Sequence, residues 1–268
     1  MELKELGSTG VMVPEIGLGT WKYTGGTEPL RQGIALGAFL IDAAEMYRNE
    51  DVVGRAIKGR RERVFLATKV SGSHLRYDEV RRAAEQSLRR LDVAFIDLYQ
   101  VHWPSSNVPI KETMAAMESL VTSGLVKYVG VSNFSTRELQ EAQAAMPNTP
   151  IVSNQVLYNL KCRGIERDLL PYCQENRVTI MAYTPLADGS LAAAPHFRRG
   201  EAMQVLNQVA EQLGKTLAQV ALNWCTSRPG VIAIPKSNSV ARTVENCGSS
   251  GWRLPPDQVA TLDRAFSG

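Results

Sequence analysis

The sequence predicts an α/β protein, a closed (β/α)8 barrel of the TIM type with an N-terminal β-hairpin across the bottom of the barrel. Short apolar runs alternate with longer amphipathic segments along the 268 residues, which indicates strands that alternate with helices. The runs are almost continuously apolar, as expected of parallel strands that are buried on both faces. Eight such units fit in the roughly 250 residues of a typical TIM barrel.

The predicted strands follow an opening hairpin. Two short runs flank the Gly-Ser-Thr-Gly segment at residues 7–10, and this pattern is typical of a hairpin turn. The eight apolar runs that come next are residues 15–18, 39–41, 64–67, 95–101, 126–131, 151–152, 178–182 and 231–234.

The predicted helices lie between these strands. Their apolar residues recur at spacings of three and four, which places them on one stripe of a helix that can cover a sheet. Residues 202–228 are expected to hold two helices that separate at Gly214, and a last helix is expected to start after residues 255–257. The longest irregular stretch is 187–200. Because no linker-like composition interrupts the pattern, we expect residues 1–268 to form a single domain.

A doubly wound sheet is the alternative architecture for alternating strands and helices. Such sheets commonly carry a G-x-G-x-x-G segment between the first strand and its helix. Gly17-Leu18-Gly19 does not complete this motif, and no other glycine run does. The barrel is therefore favoured.

Composition and charge exclude several functional classes. The chain has 30 Lys and Arg against 27 Asp and Glu, a net charge of +3, and its basic clusters are interleaved with acids, so no nucleic-acid partner is expected. Four cysteines without a C-x-x-C pair, together with three histidines, suggest neither disulfides nor a metal site. No leader-like N-terminus and no apolar run of about 18 residues is found, so we expect a cytoplasmic protein without membrane contact.

Four polar side chains follow three successive predicted strands. Asp42 and, five residues later, Tyr47 follow the second strand, Lys69 follows the third, and His102 follows the fourth. Active sites of TIM barrels are built at the C-terminal ends of the strands. Each residue alone has an ordinary structural explanation, such as a loop cap or a buried histidine, but an acid, a phenol, an ammonium and an imidazole at one rim indicate chemistry.

The combination predicts a general acid. Lys69 and Asp42 can form an ion pair that holds a cation beside the Tyr47 hydroxyl. We expect that cation to lower the pKa of the phenol from its ordinary value of about 10 towards neutrality. His102 would orient or polarise an oxygen at the same point.

Three segments that contain these residues resemble the signature segments of the aldo-keto reductases. They are residues 39–50 (FLIDAAEMYRNE), 67–69 (ATK) and 98–104 (LYQVHWP). Further segments with family order and spacing are residues 17–21, 130–134, 153–155, 182–186, 234–237 and 242–246. The short form of the chain resembles the bacterial and archaeal reductases related to diketogluconate reductase, which implies a prokaryotic source.

The resemblance implies the reaction and the role of each residue. Tyr47 would be the proton donor, Lys69 and Asp42 would tune it, and His102 would orient the substrate carbonyl. The reaction would be NAD(P)H-dependent reduction of an aldehyde or ketone to an alcohol, and its reverse, with no metal. Hydrogen bonds from Tyr47 and His102 would meet the negative charge that develops on the carbonyl oxygen.

The resemblance also implies the cofactor contacts. Ser132, Asn133 and Gln155 would hold the nicotinamide carboxamide, and the nicotinamide ring would stack on Tyr183. The segment after the eighth strand would bind the adenosine end of NADPH, which is favoured over NADH because a helix start with nearby cations suits a 2'-phosphate. In that segment Lys236, Ser237 and Arg242 would hold the phosphate, and Glu245 and Asn246 would contact the adenine.

Two residues depart from the usual family pattern. Ala43 stands where the family usually has Thr, and Arg48 stands where it often has Gly. We expect Arg48 to bring a positive charge to the pocket rim and to favour anionic or highly polar substrates. Trp21 and Trp103 are expected to wall an open substrate pocket that accepts many aldehydes and α-dicarbonyls.

Two other functions are compatible with a barrel of this kind. One is an NADPH-binding regulatory subunit with little turnover that acts through a partner. The other is an unrelated barrel enzyme, such as an aldolase that forms a Schiff base on Lys69. The only expected partner is a small carbonyl compound. The resemblance implies a monomer, because members of the family are often monomers, and the sequence contains no coiled-coil heptad pattern.

Overall fold

The chain begins with the expected hairpin and continues into one parallel sheet in this computed structural model, which describes residues 1–192 and 200–267. In the hairpin, β1 (Leu3–Glu5) pairs antiparallel with β2 (Met12–Pro14). The sheet strands are β3 (Leu18–Gly19), β4 (Leu40–Asp42), β5 (Phe65–Val70), β6 (Ile96–Val101), β7 (Val126–Ser132), β8 (Ile151–Leu157), β9 (Thr179–Tyr183) and β10 (Val231–Ala233).

The eight sheet strands lie side by side in sequence order and are parallel throughout. Bridges of Ile16 to Ala233 and of Gly19 to Lys236 join the beginning of the sheet to its end. The Gly17 amide donates to the carbonyl oxygen of Ala233 at 2.8 Å across the same seam. The sheet therefore closes, and the predicted (β/α)8 barrel is confirmed.

Helices cover the outside of the barrel. They are α1 (Glu28–Ala35), α2 (Glu50–Ile57), α3 (Tyr77–Leu91), α4 (Ile110–Thr122), α5 (Thr136–Ala144), α6 (Leu169–Glu175), α7 (Glu201–Leu213), α8 (Leu217–Thr226), α9 (Val240–Cys247) and α10 (Pro256–Ala265). Most of them bury one face, as the spacing of three and four predicts, whereas α8 is buried on nearly all sides. Among the described residues, no helix is both long and apolar enough to cross a bilayer.

Local sequence explains where the two helices after β9 separate. Gly214 ends α7 in the left-handed conformation, with φ of 61°, which glycine adopts without steric cost. Thr216 then caps α8 by accepting the amide of Gln219, whose side chain returns the contact. The last helix, α10, starts at Pro256, two residues earlier than the sequence predicts, because proline fits the first turn of a helix.

The hairpin closes the N-terminal end of the barrel. Leu6, between its two strands, is fully buried together with Leu40 and Ile232, which lie near the starts of their strands. The Gly7 amide donates to the Thr179 hydroxyl at 2.8 Å. Apolar side chains thus fill this end, whereas the polar side chains that follow the parallel strands lie together at the opposite end.

Candidate active site

A buried ion pair lies at the C-terminal end of the barrel. The Lys69 Nζ donates to the Asp42 Oδ2 at 2.6 Å, to the Ala43 carbonyl oxygen at 2.9 Å and to the Tyr47 hydroxyl at 3.3 Å. The Lys69 side chain is fully buried, and that of Asp42 is 2% exposed. The structure thus brings together three of the predicted residues around one ammonium group.

Strand register and one tight turn produce this geometry. Asp42 ends β4 and pairs with Ala67 of β5, so that Lys69 projects from the end of the neighbouring strand. Tyr47 lies in the 3-10 turn Glu45–Tyr47, which ends at Arg48 in the left-handed conformation with φ of 55°. This conformation favours glycine, the residue that the resemblance to the aldo-keto reductases leads us to expect at this position.

The charge state of this cluster corrects one sequence expectation. Burial alone would lower the pKa of Lys69, but the Asp42 carboxylate and the Tyr47 oxygen raise it above its ordinary value. The expected lowering of the Tyr47 pKa is wrong, because burial raises that pKa by more than Lys69 lowers it, and Asp42 adds to the rise. Tyr47 is therefore a protonated phenol beside a permanent cation.

His102 completes the set of four. It follows β6, it is 7% exposed, and its ring lies edge-on to that of Tyr47 with centroids 5.5 Å apart. Burial and the Lys69 charge lower the pKa of His102 to about 3, which keeps the imidazole neutral. Its Nδ1 is buried without a partner among the described residues. Because a buried N–H without an acceptor costs more than a bare nitrogen, we assign the proton to Nε2, which makes that atom a donor.

Two glutamine amides hold the second oxygen of the Asp42 carboxylate. Gln155 donates to its Oδ1 at 2.8 Å, and Gln100 donates at 3.3 Å. Gln155 is one of the predicted cofactor residues, whereas the sequence interpretation missed Gln100. The signal was the two-residue spacing between Gln100 on β6 and His102 directly after that strand, because alternate residues of an extended chain lie on one face.

The predicted carboxamide-binding residues form a connected network. Asn133 donates to the His102 carbonyl oxygen at 3.0 Å and to the Ser132 hydroxyl at 3.1 Å, and it accepts from the Tyr183 hydroxyl at 2.9 Å. Ser132 donates to the Gln155 carbonyl oxygen at 2.9 Å. These side chains come from β7, β8 and β9 or directly after them, and hydrogen bonds to His102 and Asp42 link them to the four predicted catalytic residues.

The predicted catalytic and nicotinamide-binding residues number eight, and all of them except Lys69 line one open cavity of about 590 Å³. Trp21 and Trp103 lie on its wall, with 47% and 50% of their surface exposed, and the Trp21 ring lies 4.9 Å from that of Tyr47. Further lining residues that the sequence interpretation missed are Lys22, Met46, Thr184, Pro185, Leu186 and Asp188.

The residues predicted to bind the adenosine end lie less close together. Lys236 lines the cavity, while Ser237 and Asn246 line a smaller crevice that shares Gly19 and Pro235 with it. Arg242 forms an ion pair with Glu245 at 3.0 Å on the exposed side of α9. The Ser237 hydroxyl donates to the Ser239 carbonyl oxygen at the start of that helix.

The two departures from the family pattern have different surroundings. Ala43 is buried, and its carbonyl oxygen accepts from Lys69, so its effect on the site is through the main chain. Arg48 is exposed and is not among the residues that line the cavity, so the structure gives no support to a role in selecting anionic substrates. The cation beside the tryptophan wall is Lys22, whose Nζ lies 5.6 Å from the centre of the Trp21 ring.

Comparison with known proteins decides the family. The family described as the aldo/keto reductase family matches residues 15–266, nearly the whole chain. The chain belongs to the aldo/keto reductase family. The resemblance that the sequence motifs indicated is thereby confirmed.

Bacterial reductases are among the curated relatives. Methylglyoxal reductase YeaE of Escherichia coli is 41% identical over 97% of this chain and 93% of its own length. The glyoxal reductase of Bacillus subtilis is 34% identical over 95% of this chain and 89% of its own length.

Crystal structures of aldo-keto reductases share the fold. An aldo/keto reductase from Klebsiella pneumoniae in complex with NADP and acetate has a TM-score of 0.86 and 40% identity, over 97% of this chain and 94% of that one. A putative 2,5-diketo-D-gluconic acid reductase B also has a TM-score of 0.86, with 31% identity over 94% of this chain and 88% of that one. The likeness to a diketogluconate reductase is therefore confirmed.

Proposed function

We propose that this aldo-keto reductase reduces aldehydes and ketones to alcohols with NADPH, and that Tyr47 is the general acid. The observation that carries the proposal is the position of the Lys69 ammonium, which lies within hydrogen-bonding distance of both the Asp42 carboxylate and the Tyr47 hydroxyl. The phenol lines the cavity next to a neutral imidazole. A proton donor and a second hydrogen-bond donor thus converge where a carbonyl oxygen can bind.

The residues around the cavity fit a nicotinamide dinucleotide. Gln155 donates from its side-chain Nε2 to Asp42, which leaves its side-chain Oε1 as an acceptor for a carboxamide. Ser132 and Asn133 lie beside it, and the Tyr183 ring provides an aromatic face on the same wall. Lys236 lines the cavity as well and suits a phosphate. The Klebsiella pneumoniae relative, which was crystallised with NADP, supports this cofactor.

When bound, the dihydronicotinamide supplies the hydride that adds to the carbonyl carbon. Negative charge then grows on the carbonyl oxygen, and Tyr47 donates its phenolic proton to that oxygen. The product is an alcohol, and Tyr47 is left as a phenolate. In the reverse direction the phenolate accepts the proton of the alcohol.

Lys69 and Asp42 make this proton transfer favourable. The Lys69 ammonium, 3.3 Å from the phenol oxygen, stabilises the phenolate as the proton leaves. Asp42 keeps Lys69 charged in a fully buried position, since an unpaired ammonium there would lose its proton. The charged state of Lys69 also disfavours an aldolase, because only a neutral amine can form a Schiff base.

His102 is proposed to orient the carbonyl group. A neutral imidazole with its proton on Nε2 donates one hydrogen bond and adds no charge, so the positive charge of the site remains at Lys69. The low pKa of His102 prevents it from acting as the acid at neutral pH. Tyr47 is therefore the group that supplies the proton.

The open cavity favours small, reactive carbonyl substrates over one tightly enclosed substrate. Trp21 and Trp103 offer apolar walls that are half exposed, so a ligand gains burial without being surrounded. The named activities of the Escherichia coli and Bacillus subtilis relatives, methylglyoxal and glyoxal reduction, support α-dicarbonyl compounds as a substrate class.

Turnover and binding measured together test the proposal. We expect the purified protein to consume NADPH, followed at 340 nm, with methylglyoxal, glyoxal and simple aldehydes, and to prefer NADPH to NADH. Quenching of tryptophan fluorescence by NADPH gives binding independently. Binding without turnover on any carbonyl compound would support a regulatory subunit instead, and absence of binding would refute the cofactor assignment.

A further inference from the structure

A buried carboxylate beside Tyr47 joins the two loops that carry the proposed acid and its cation. Glu45 lies two residues before Tyr47 in the same 3-10 turn, and Ser71 lies two residues after Lys69. The Ser71 amide donates to the Glu45 Oε1 at 2.6 Å. The Glu45 side chain is only 7% exposed.

The same oxygen has a second partner. The His74 Nδ1 lies 2.9 Å from the Glu45 Oε1, and the His74 side chain is half exposed. Ser71 and His74 belong to one turn, which is closed by a hydrogen bond from the His74 amide to the Ser71 carbonyl oxygen at 3.0 Å. One carboxylate oxygen therefore holds the turn after β5 at two points.

This contact is distinct from the ion pair at Lys69. The charge of Glu45 is not among the causes that shift the pKa of Tyr47, which are burial, Lys69, Asp42 and the Lys69 hydrogen bond. What Glu45 fixes is geometry, because its hydrogen bond sets the separation between the Tyr47 turn and the end of β5. A short hydrogen bond to a carboxylate is about twice as strong as one between neutral groups.

We propose that Glu45 is a positioning residue that holds the Tyr47 hydroxyl within hydrogen-bonding distance of the Lys69 ammonium. The inference rests on the function proposed above and adds a residue to it. Two features of Glu45 matter in different ways: its length, which sets the separation of the turns, and its charge, which strengthens the bond. If Glu45 acts by positioning, the length of its side chain matters more than its charge. Variants that change only the length or only the charge therefore test the proposal.

Glu45→Gln keeps the length and an acceptor oxygen, whereas Glu45→Asp keeps the charge but is one methylene shorter. We expect Glu45→Gln to retain kcat within about threefold, because a neutral acceptor still binds the Ser71 amide. We expect Glu45→Asp to lose about tenfold in kcat and Glu45→Ala up to about a hundredfold, as displacements of up to 1 Å do. NADPH binding should stay within about twofold in all three, since Glu45 is not among the residues that line the cavity.

Two readouts separate positioning from general stability. In alcohol oxidation with NADP⁺, the rise of kcat with pH should move to higher pH in Glu45→Asp and Glu45→Ala, because a more distant Lys69 stabilises the phenolate less. Hydrogen exchange of the Ser71 amide should be faster in Glu45→Ala and near wild type in Glu45→Gln. Glu5→Ala is the matched control, because Glu5 also accepts a backbone amide, that of Gly10, but in the hairpin at the other end of the barrel.

The outcomes distinguish this inference from the proposed function. Wild-type kcat and an unchanged pH profile in Glu45→Asp, with kcat lost in Glu45→Gln, would overturn positioning in favour of a role for the charge. If Glu45→Ala does not fold, the pair Glu45→Gln and Glu45→Asp decides the point alone. Failure of the wild-type protein to turn over any carbonyl compound would instead refute the proposed function.

Discussion

The Lys69 ammonium lies 3.3 Å from the Tyr47 hydroxyl oxygen, inside the barrel end and out of contact with solvent. A cation in that position is held there by Asp42, and the three groups behave as one unit. Burial keeps the phenol protonated before the reaction, and the Lys69 cation stabilises the phenolate that forms when the proton leaves. The proposed chemistry requires both conditions, a neutral phenol before the proton transfer and a cation beside the phenolate after it.

Removal of Lys69 is expected to cost stability as well as activity. In Lys69→Met the Asp42 carboxylate stays buried without its cation, and the free energy of unfolding should fall by about 3 to 5 kcal/mol. Urea unfolding measures the loss. The double variant Lys69→Met with Asp42→Leu should recover part of it, since no unpaired charge remains; a double variant less stable than Lys69→Met would contradict this account.

His102 should make the protein less stable in acid. Its pKa is about 3 in the folded state against an ordinary value of 6.5, so between these values the unfolded chain binds a proton that the folded protein does not. The contribution of His102 to stability is full above pH 6.5 and is lost as the pH falls towards 3, with about 3 kcal/mol lost by pH 4. The fall of stability between pH 7 and pH 4 should be smaller in His102→Gln, and equal falls in both proteins would contradict the assignment.

Lys236 is expected to distinguish the two nicotinamide cofactors. A charge-assisted hydrogen bond to a phosphate is worth about 1.5 to 3 kcal/mol, so Lys236→Ala should weaken NADPH binding by about tenfold or more. The Kd of NADH, measured by tryptophan fluorescence, should change less. Lys111→Ala, in the exposed first turn of α4, serves as the control. Equal losses of NADPH and NADH affinity in Lys236→Ala would show that Lys236 does not bind the 2'-phosphate.

Arg48 should matter for the backbone and little for substrate choice. It adopts the left-handed conformation at the end of the Tyr47 turn, which costs a residue other than glycine about 1 kcal/mol. Arg48→Gly should therefore be as stable as wild type or up to about 1 kcal/mol more stable. The ratio of kcat/KM for carboxylated and neutral aldehydes should not change, and a clear shift of that ratio would restore the role first inferred from the sequence.

Much of the fold was predictable because strands and helices leave different periodicities. The apolar run at residues 95–101 corresponds closely to β6, and Gly214 separates α7 from α8 as predicted. The strand predicted at residues 151–152 is too short, because β8 continues to Leu157 through the polar residues Ser153, Asn154 and Gln155. Those residues are buried by their neighbours in the barrel, which the local pattern does not reveal.

The positions of the site residues at the strand ends could be predicted from the sequence, but the pKa values that depend on burial could not. Asp42, Lys69 and His102 follow apolar runs, so topology alone brings them to one rim. The pKa of Tyr47 depends on the balance between burial and the Lys69 charge, and that balance requires three-dimensional structure. Glu45 was missed because one partner is a backbone amide, which leaves no trace in the sequence, and the other, His74, is 29 residues away along the chain.

The most direct test of the account is Tyr47→Phe, which removes one hydroxyl and keeps the ring. We predict that NADPH binds with a Kd within about twofold of wild type, while kcat for methylglyoxal reduction falls by at least about a hundredfold, the contribution of general acid catalysis. Stopped-flow measurement of a single turnover at 340 nm isolates the chemical step. Reduction by Tyr47→Phe at the wild-type rate would contradict the central claim that this phenol supplies the proton.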